Sequence, residues 1–256
     1  MASNDSTSKT IIVALALCIV CSVFVSTAAV MLRPAQQANK DLDRKTNILA
    51  AAGMLQEGVS VDEQFASIST RAVDMATGKF SDAVDITTYD QRKASKDPAT
   101  SVELGDADLA KIGSRAKYSL VYVVEGESGI DKIILPIKGY GLWSTLYGFV
   151  ALESDLNTVA GLGFYEHAET PGLGGEVDNP LWKAKWIGKK GYDAENKQAL
   201  TVIKGSVDSS RPESVHQIDG LSGATLTSKG VDNLVKFWMG EDGFAPFLAN
   251  LRAGEA

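Results

Sequence analysis

Two short segments concentrate the side chains and glycines that can hold a charged or planar group. One is Asp219-Gly220-Leu221-Ser222-Gly223-Ala224-Thr225-Leu226-Thr227-Ser228, which runs into a helical pattern with Val231, Leu234, Val235 and Trp238 on one face. A helix start offers unpaired N–H groups and the positive end of the helix dipole, so a phosphate is favoured there. Thr225, Thr227 and Ser228 add hydroxyls. The same residue types also suit a plain Ser/Thr helix cap, and the residues alone leave both readings open. The other segment is Glu166-His167-Ala168-Glu169-Thr170-Pro171-Gly172-Leu173-Gly174-Gly175, which follows a strand pattern. Glycines there let backbone N–H groups approach a flat polar ligand, and Leu173 is placed to cover its ring face. An ordinary glycine-rich loop has the same composition.

Other chemistries are poorly supported. Gly139-Tyr140-Gly141-Leu142-Trp143-Ser144 lacks the third glycine of a dinucleotide fingerprint and the acidic residue about 20 positions on, so it reads as a turn with packed aromatics. The only histidines are His167 and His216, and neither His-Glu-x-x-His nor Gly-x-Ser-x-Gly occurs. No metal site and no hydrolase triad is expected. Cys18 and Cys21 share one helical face but supply only half of a four-ligand site, and residues 33–256 hold no cysteine for a disulfide or cluster. With 25 Lys plus Arg against 32 Asp plus Glu, the net charge of −7 gives no basic surface for nucleic acid.

These segments need elements to position them. Ile11–Leu32 is a run of 22 residues without charge, Pro or Gly, long enough to cross a bilayer as a helix. Ser26-Thr27-Ala28 resembles a signal cleavage site, but the run continues past it, and a retained single-span anchor is expected. Lys9 precedes the span whereas Arg33, Lys40, Arg44 and Lys45 follow it, so a literal positive-inside count keeps the large domain in the cytoplasm. That rule weakens for long domains. Helical spacing from Asp41 to Gln56, stopped by Gly58, and a capping box at Ser60-Val61-Asp62-Glu63 predict two linking helices.

From Arg71 to Leu104 short strands and a loop are expected. Ser119–Glu125 and Asp131–Lys138 flank a turn at Gly126–Gly129 as a hairpin, with Pro136 marking an edge or a strand end. Further strands are predicted at Tyr147–Leu152, Thr158–His167 and Ala199–Lys204, and helices at Leu181–Ile187 and after Leu226. The class is therefore α+β: one N-terminal transmembrane helix followed by a mixed α/β domain. The expected division is a tail at 1–10, the span at 11–32, a helical linker and N-terminal sub-domain at 33–118, and a ligand-binding domain at 119–256.

Ser222-Gly-Ala-Thr225-Leu-Thr227 resembles the flavinylation motif of the FMN-binding domain family, and Glu169-Thr-Pro-Gly-Leu-Gly174 resembles that family's second signature. Over nearly the whole chain the likeness is to members that serve in Na⁺-translocating NADH:quinone oxidoreductases. Members in Rnf complexes share both signatures but are generally shorter between span and flavin domain, so residues 33–104 favour the former. The resemblance implies FMN joined through its phosphate to Thr225, a recognition turn of Ser222, Gly223 and Ala224 with Asp219 and Thr227 in the same motif, and flavin contacts from Glu169, Thr170, Leu173 and Gly174. Tyr140, Trp143 and His167 are further candidates. It also implies maturation by a flavin transferase, membrane lipid and other membrane subunits of the same complex as partners, and a flavin domain outside the bacterial inner membrane. The expected role is electron relay from NADH towards ubiquinone in an ion-pumping translocase, with no complete NADH or quinone site in this chain. Two alternatives from other classes are a flavin-free anchored adaptor and, far behind it, a secreted hydrolase with Thr225 or Ser222 as nucleophile and His167 or His216 as base.

Overall fold

The computed structural model describes residues 6–127 and 129–256, so part of the expected tail and Ser128 of the expected turn lie outside it. Two compact units divide between Asp43 and Arg44. The first is the greater part of helix α1 (Thr7–Ala51), the one helix among the described residues long and apolar enough to cross a membrane. It begins inside the expected tail and does not end with the apolar run. Pro34 removes one backbone hydrogen bond without stopping it, so the first of the two expected linking helices is the continuation of the span. The second is a single turn, α2 (Val61–Phe65), and Ser60 makes no side-chain cap, so the capping box does not form.

The second unit, 44–256, is built on a six-stranded antiparallel sheet in the order β2-β1-β5-β6-β7-β8. Its strands are β1 (Ile68–Asp74), β2 (Lys79–Phe80), β5 (Tyr118–Gly126), β6 (Gly129–Tyr140), β7 (Thr145–Glu153) and β8 (Val159–Glu166). β1 pairs with β5 from Ile68↔Val124 to Asp74↔Tyr118, so hydrogen bonding crosses the expected 118/119 boundary. Between β2 and β5 lie the one-turn helix α3 (Gln91–Ala94), capped by Asp90, and the ribbon β3 (Ser101–Glu103) with β4 (Ser114–Ala116). Pro136 sits within β6, which is an internal strand. Pairing with β5 runs only to Ile134, however, so the proline lies where β6 is paired with β7 alone.

Period-two alternation sends side chains to both faces. Val121, Val123, Ile133, Leu135 and Ile137 join the larger core, beneath α5 (Thr225–Trp238) and with α6 (Ala245–Ala253). Val231, Leu234, Val235 and Trp238 of α5 are all buried there, as the sequence pattern requires. Tyr122, Val124, Ile134 and Phe149 face the other way and are covered by Ile48, Leu49, Ala51 and Ala52. The helix predicted at 181–187 is the single turn α4 (Pro180–Lys183) followed by a 3₁₀ turn, with Trp182 and Trp186 packed inward edge to face. The strand expected at 199–204 is only β9 (Thr201–Val202), paired in parallel with β10 (Gln217–Ile218).

Candidate functional site

The two glycine-rich segments meet at one carboxylate. Glu169, only 4% exposed, follows β8 and turns back towards the β6–β7 connection. Its Oε1 accepts hydrogen bonds from the backbone N–H groups of Leu142 (3.1 Å), Trp143 (2.9 Å) and Ser144 (3.2 Å). Its Oε2 accepts a 2.7 Å hydrogen bond from the Thr227 hydroxyl on the first turn of α5. Burial works against the charged form, but these hydrogen bonds, from Thr227 first and then the three amides, hold the carboxyl below the usual glutamate range. Ser144 Oγ also accepts from the Ala168 N–H at 2.7 Å, so the 141–144 turn and the 167–175 loop are joined twice.

The other segment is fixed from within. Ser228 Oγ accepts from the Leu221 N–H (2.9 Å) and donates to the Ala224 carbonyl (3.0 Å), closing the turn ahead of α5. Leu221 and Ala224 are buried, while Ser222, Gly223 and Thr225 are exposed. Thr225 is the first helical residue, and Ala224 provides no side-chain cap, so the leading N–H groups of α5 are left for another partner. Asp219 is held apart from this role. Its carboxylate accepts from the Val207 N–H (2.7 Å) and is ion-paired with Lys185, and its carbonyl accepts from Trp182 Nε1 (2.8 Å). It braces the loop against α4.

Apolar side chains stand exposed on the segments joined here: Leu173 at 45%, Trp143 at 67% and Tyr140 at 41%. Leu173 Cδ2 lies 3.2 Å from where a Cβ on Gly223 would be, which brings the tips of both signature segments into contact. Thr170 acts through its backbone, its carbonyl accepting from the Leu173 and Gly175 N–H groups at 3.1 and 2.9 Å. His167 Nδ1 accepts from the Glu169 N–H at 3.2 Å, and its Nε2 lies 2.6 Å from Asp178 Oδ2. Among the described residues no group of His, Cys, Asp and Glu has the makings of a metal site.

Arg92 was not among the expected site residues. From α3 it stacks on Tyr147 (3.7 Å to the ring centroid), donates to Tyr165 Oη (3.1 Å) and pairs with Glu166 (2.9 Å), pinning the strand end that launches the 167–175 loop. Nothing in the polar stretch 90–100 singles it out in sequence. Gly141 and Gly174 lie against the Glu169 carboxylate: a Cβ on Gly141 would meet both Glu169 Oε1 and Leu146 Cδ1, and one on Gly174 would meet Thr227 Oγ1 and Glu169 Oε2.

Residues 141–240 match the model of a family described as FMN-binding domain. The chain is 57% identical to the C subunit of the Na⁺-translocating NADH-quinone reductase of Pseudomonas aeruginosa, with the whole of both chains covered. It is 53% identical to the protein of the same name from Vibrio vulnificus, with 99% of each covered. Its structure is similar to the crystal structure of Shewanella oneidensis NqrC, with a TM-score of 0.77 and 36% identity over 84% of this chain and 99% of that one. The crystal structure of the corresponding reductase C subunit from Parabacteroides distasonis gives a TM-score of 0.64 at 26% identity, covering 85% of this chain and 96% of that one.

Proposed function

The chain belongs to the family of Na⁺-translocating NADH-quinone reductase C subunits, and from that premise we propose that it carries FMN covalently on Thr225 and relays electrons inside such a complex. The observation that carries the proposal is the uncapped start of α5 with Thr225 exposed at its first position. Residues present there fit the group. Free N–H groups and the helix dipole suit the phosphate, the Thr225 hydroxyl is placed for a phosphoester formed with loss of water, and exposed Leu173, Trp143 and Tyr140 offer apolar surface to a planar ring. When bound, the flavin supplies the capacity to accept and donate electrons, and the protein positions and tunes it. A covalent link keeps the cofactor in place through both redox states.

In this reading Ser222, Gly223 and Ala224 form the turn recognised by a flavin transferase, and Asp219 holds that turn on α4. Gly174, Thr170 and His167 shape the 167–175 loop that would hold the flavin. Residues 119–256 are assigned as the flavin-binding region, with 33–118 as its support. NADH oxidation, quinone reduction and Na⁺ passage are assigned to other membrane subunits. The chain is placed in the bacterial inner membrane on its single span, surrounded by lipid, with the flavin domain in the periplasm.

Rapid mixing of the purified complex with NADH tests the relay. The flavin on this subunit is expected to be reduced no more slowly than the complex turns over, and a Thr225→Ala complex is expected to lose that signal and quinone reduction together. Quinone reduction while this flavin stays oxidised would overturn the proposal.

A further inference from the structure

We infer that Glu169 and Thr227 form a latch that assembles the site before flavin arrives, acting by joining the two signature segments and not by touching the flavin. This rests on the reading of the site as a flavin site and gives both residues a positioning role within it. A carboxylate has about four acceptor positions. The N–H groups of Leu142, Trp143 and Ser144 converge on Oε1 and fill its two, while the Thr227 hydroxyl takes one of the two on Oε2, so it is burial that keeps the last from a ligand. Thr227 and Glu169 are both buried, at 1% and 4% exposure, so neither presents a free polar atom to a ligand at the surface.

The surrounding glycines are explained by the same contact. A Cβ on Gly141 would lie 2.6 Å from Glu169 Oε1, and one on Gly174 would lie 2.8 Å from Oε2 and 2.5 Å from Thr227 Oγ1. Gly174 is therefore required by the closeness of the latch, and Gly141 by the latch together with Leu146, whose Cδ1 would also lie 2.6 Å from a Cβ there. The latch also sets the rotation of α5. Successive helical residues are about 100° apart, so Thr225 lies roughly 200° from Thr227 on the helix. With Thr227 turned inward onto Glu169, Thr225 faces out, as its exposure shows.

The test follows flavin incorporation over time in full-length protein made with a flavin transferase, read by in-gel fluorescence per amount of folded protein. Hydrogen exchange at the Leu142–Ser144 amides is measured in parallel. Losing a hydrogen bond to a charged group is expected to slow incorporation about tenfold in Thr227→Val, with recovery in Thr227→Ser. Glu169→Ala is expected to lose incorporation and to speed exchange of the three amides by about tenfold or more. Glu169→Gln restores most of both, because its amide oxygen accepts from the same N–H groups and its NH₂ can donate to Thr227. The latch is overturned if Thr227→Val takes up flavin at the wild-type rate, or if Glu169→Gln is as impaired as Glu169→Ala, which would make the charge itself the contact. If the wild type takes up no flavin, the flavin reading fails, and the amide exchange still decides the latch.

Discussion

Single side chains hold this surface in place through contacts that differ in how they respond to pH. Lys138 on β6 is half-buried and donates to Ser95 Oγ at 3.1 Å. Burial first, then the neighbouring charges of Lys96 and Arg92, push its pKa down to about 8 from 10.5. Below pH 8 the lysine is charged in both folded and unfolded chains, and the penalty of a confined charge is fully present. Between about 8 and 10.5 the folded chain gives up the proton first, so the unfolded chain binds more protons and stability rises with pH. Lys138→Gln is expected to stabilise the protein at pH 7 by on the order of 2 kcal/mol, allowing for partial solvent access. Urea unfolding at pH 7 and pH 10 should show that gain shrinking at the higher pH, and a gain independent of pH would contradict the assignment. At this scale residue type and spacing mark the two glycine-rich segments as places for a charged or planar group, whereas Thr225 as an attachment point comes from the family resemblance. The pairing of Glu169 with Thr227 is not readable, since the two lie 58 positions apart and meet only through the fold.

Elements succeed or fail as predictions according to how much of their pattern is local. The periodic face of α5 is legible because burial imposes a period of 3.6 on it, and β5 to β8 are legible as apolar, β-rich runs because both faces of the sheet are covered. The internal position of Pro136 is settled by strand order, which no local signal carries, whereas α1 runs through Pro34 and the cap at Ser60 stays unformed at exposed positions. The seat of α5 shows what packing contributes. Asp232, 2% exposed, accepts from Thr201 Oγ1 (2.7 Å) and the Val202 N–H (3.1 Å) of β9, and pairs with Lys229 (2.8 Å) and Lys236 (2.9 Å) on its own helix. It thereby ties α5 to the short β9–β10 pair, and β10 leads directly into Asp219 and the attachment turn. Asp232→Ala is expected to lower the unfolding free energy by about 3 kcal/mol, as breaking a buried, hydrogen-bonded charge cluster does. Chemical denaturation checks this, and a loss below about 1 kcal/mol would show that β9 is held by other means.

For the whole molecule, the decisive features are the one helix among the described residues long and apolar enough to cross a membrane, the compact unit at 44–256 and full-length likeness to quinone-reductase subunits. The basic residues after the span, Arg33, Lys40, Arg44 and Lys45, point towards a cytoplasmic domain by the charge rule, whereas the proposed function places it in the periplasm. Protease added to intact spheroplasts should digest the domain, and full protection would reverse the proposed orientation. The central claim is the covalent flavin on Thr225, and the most direct measurement is the intact mass and flavin fluorescence of full-length protein and of Thr225→Ala, both made with a flavin transferase. One FMN less a water is expected on the wild type and none on the variant. A wild type without added mass, or a variant that still carries it, would contradict that claim.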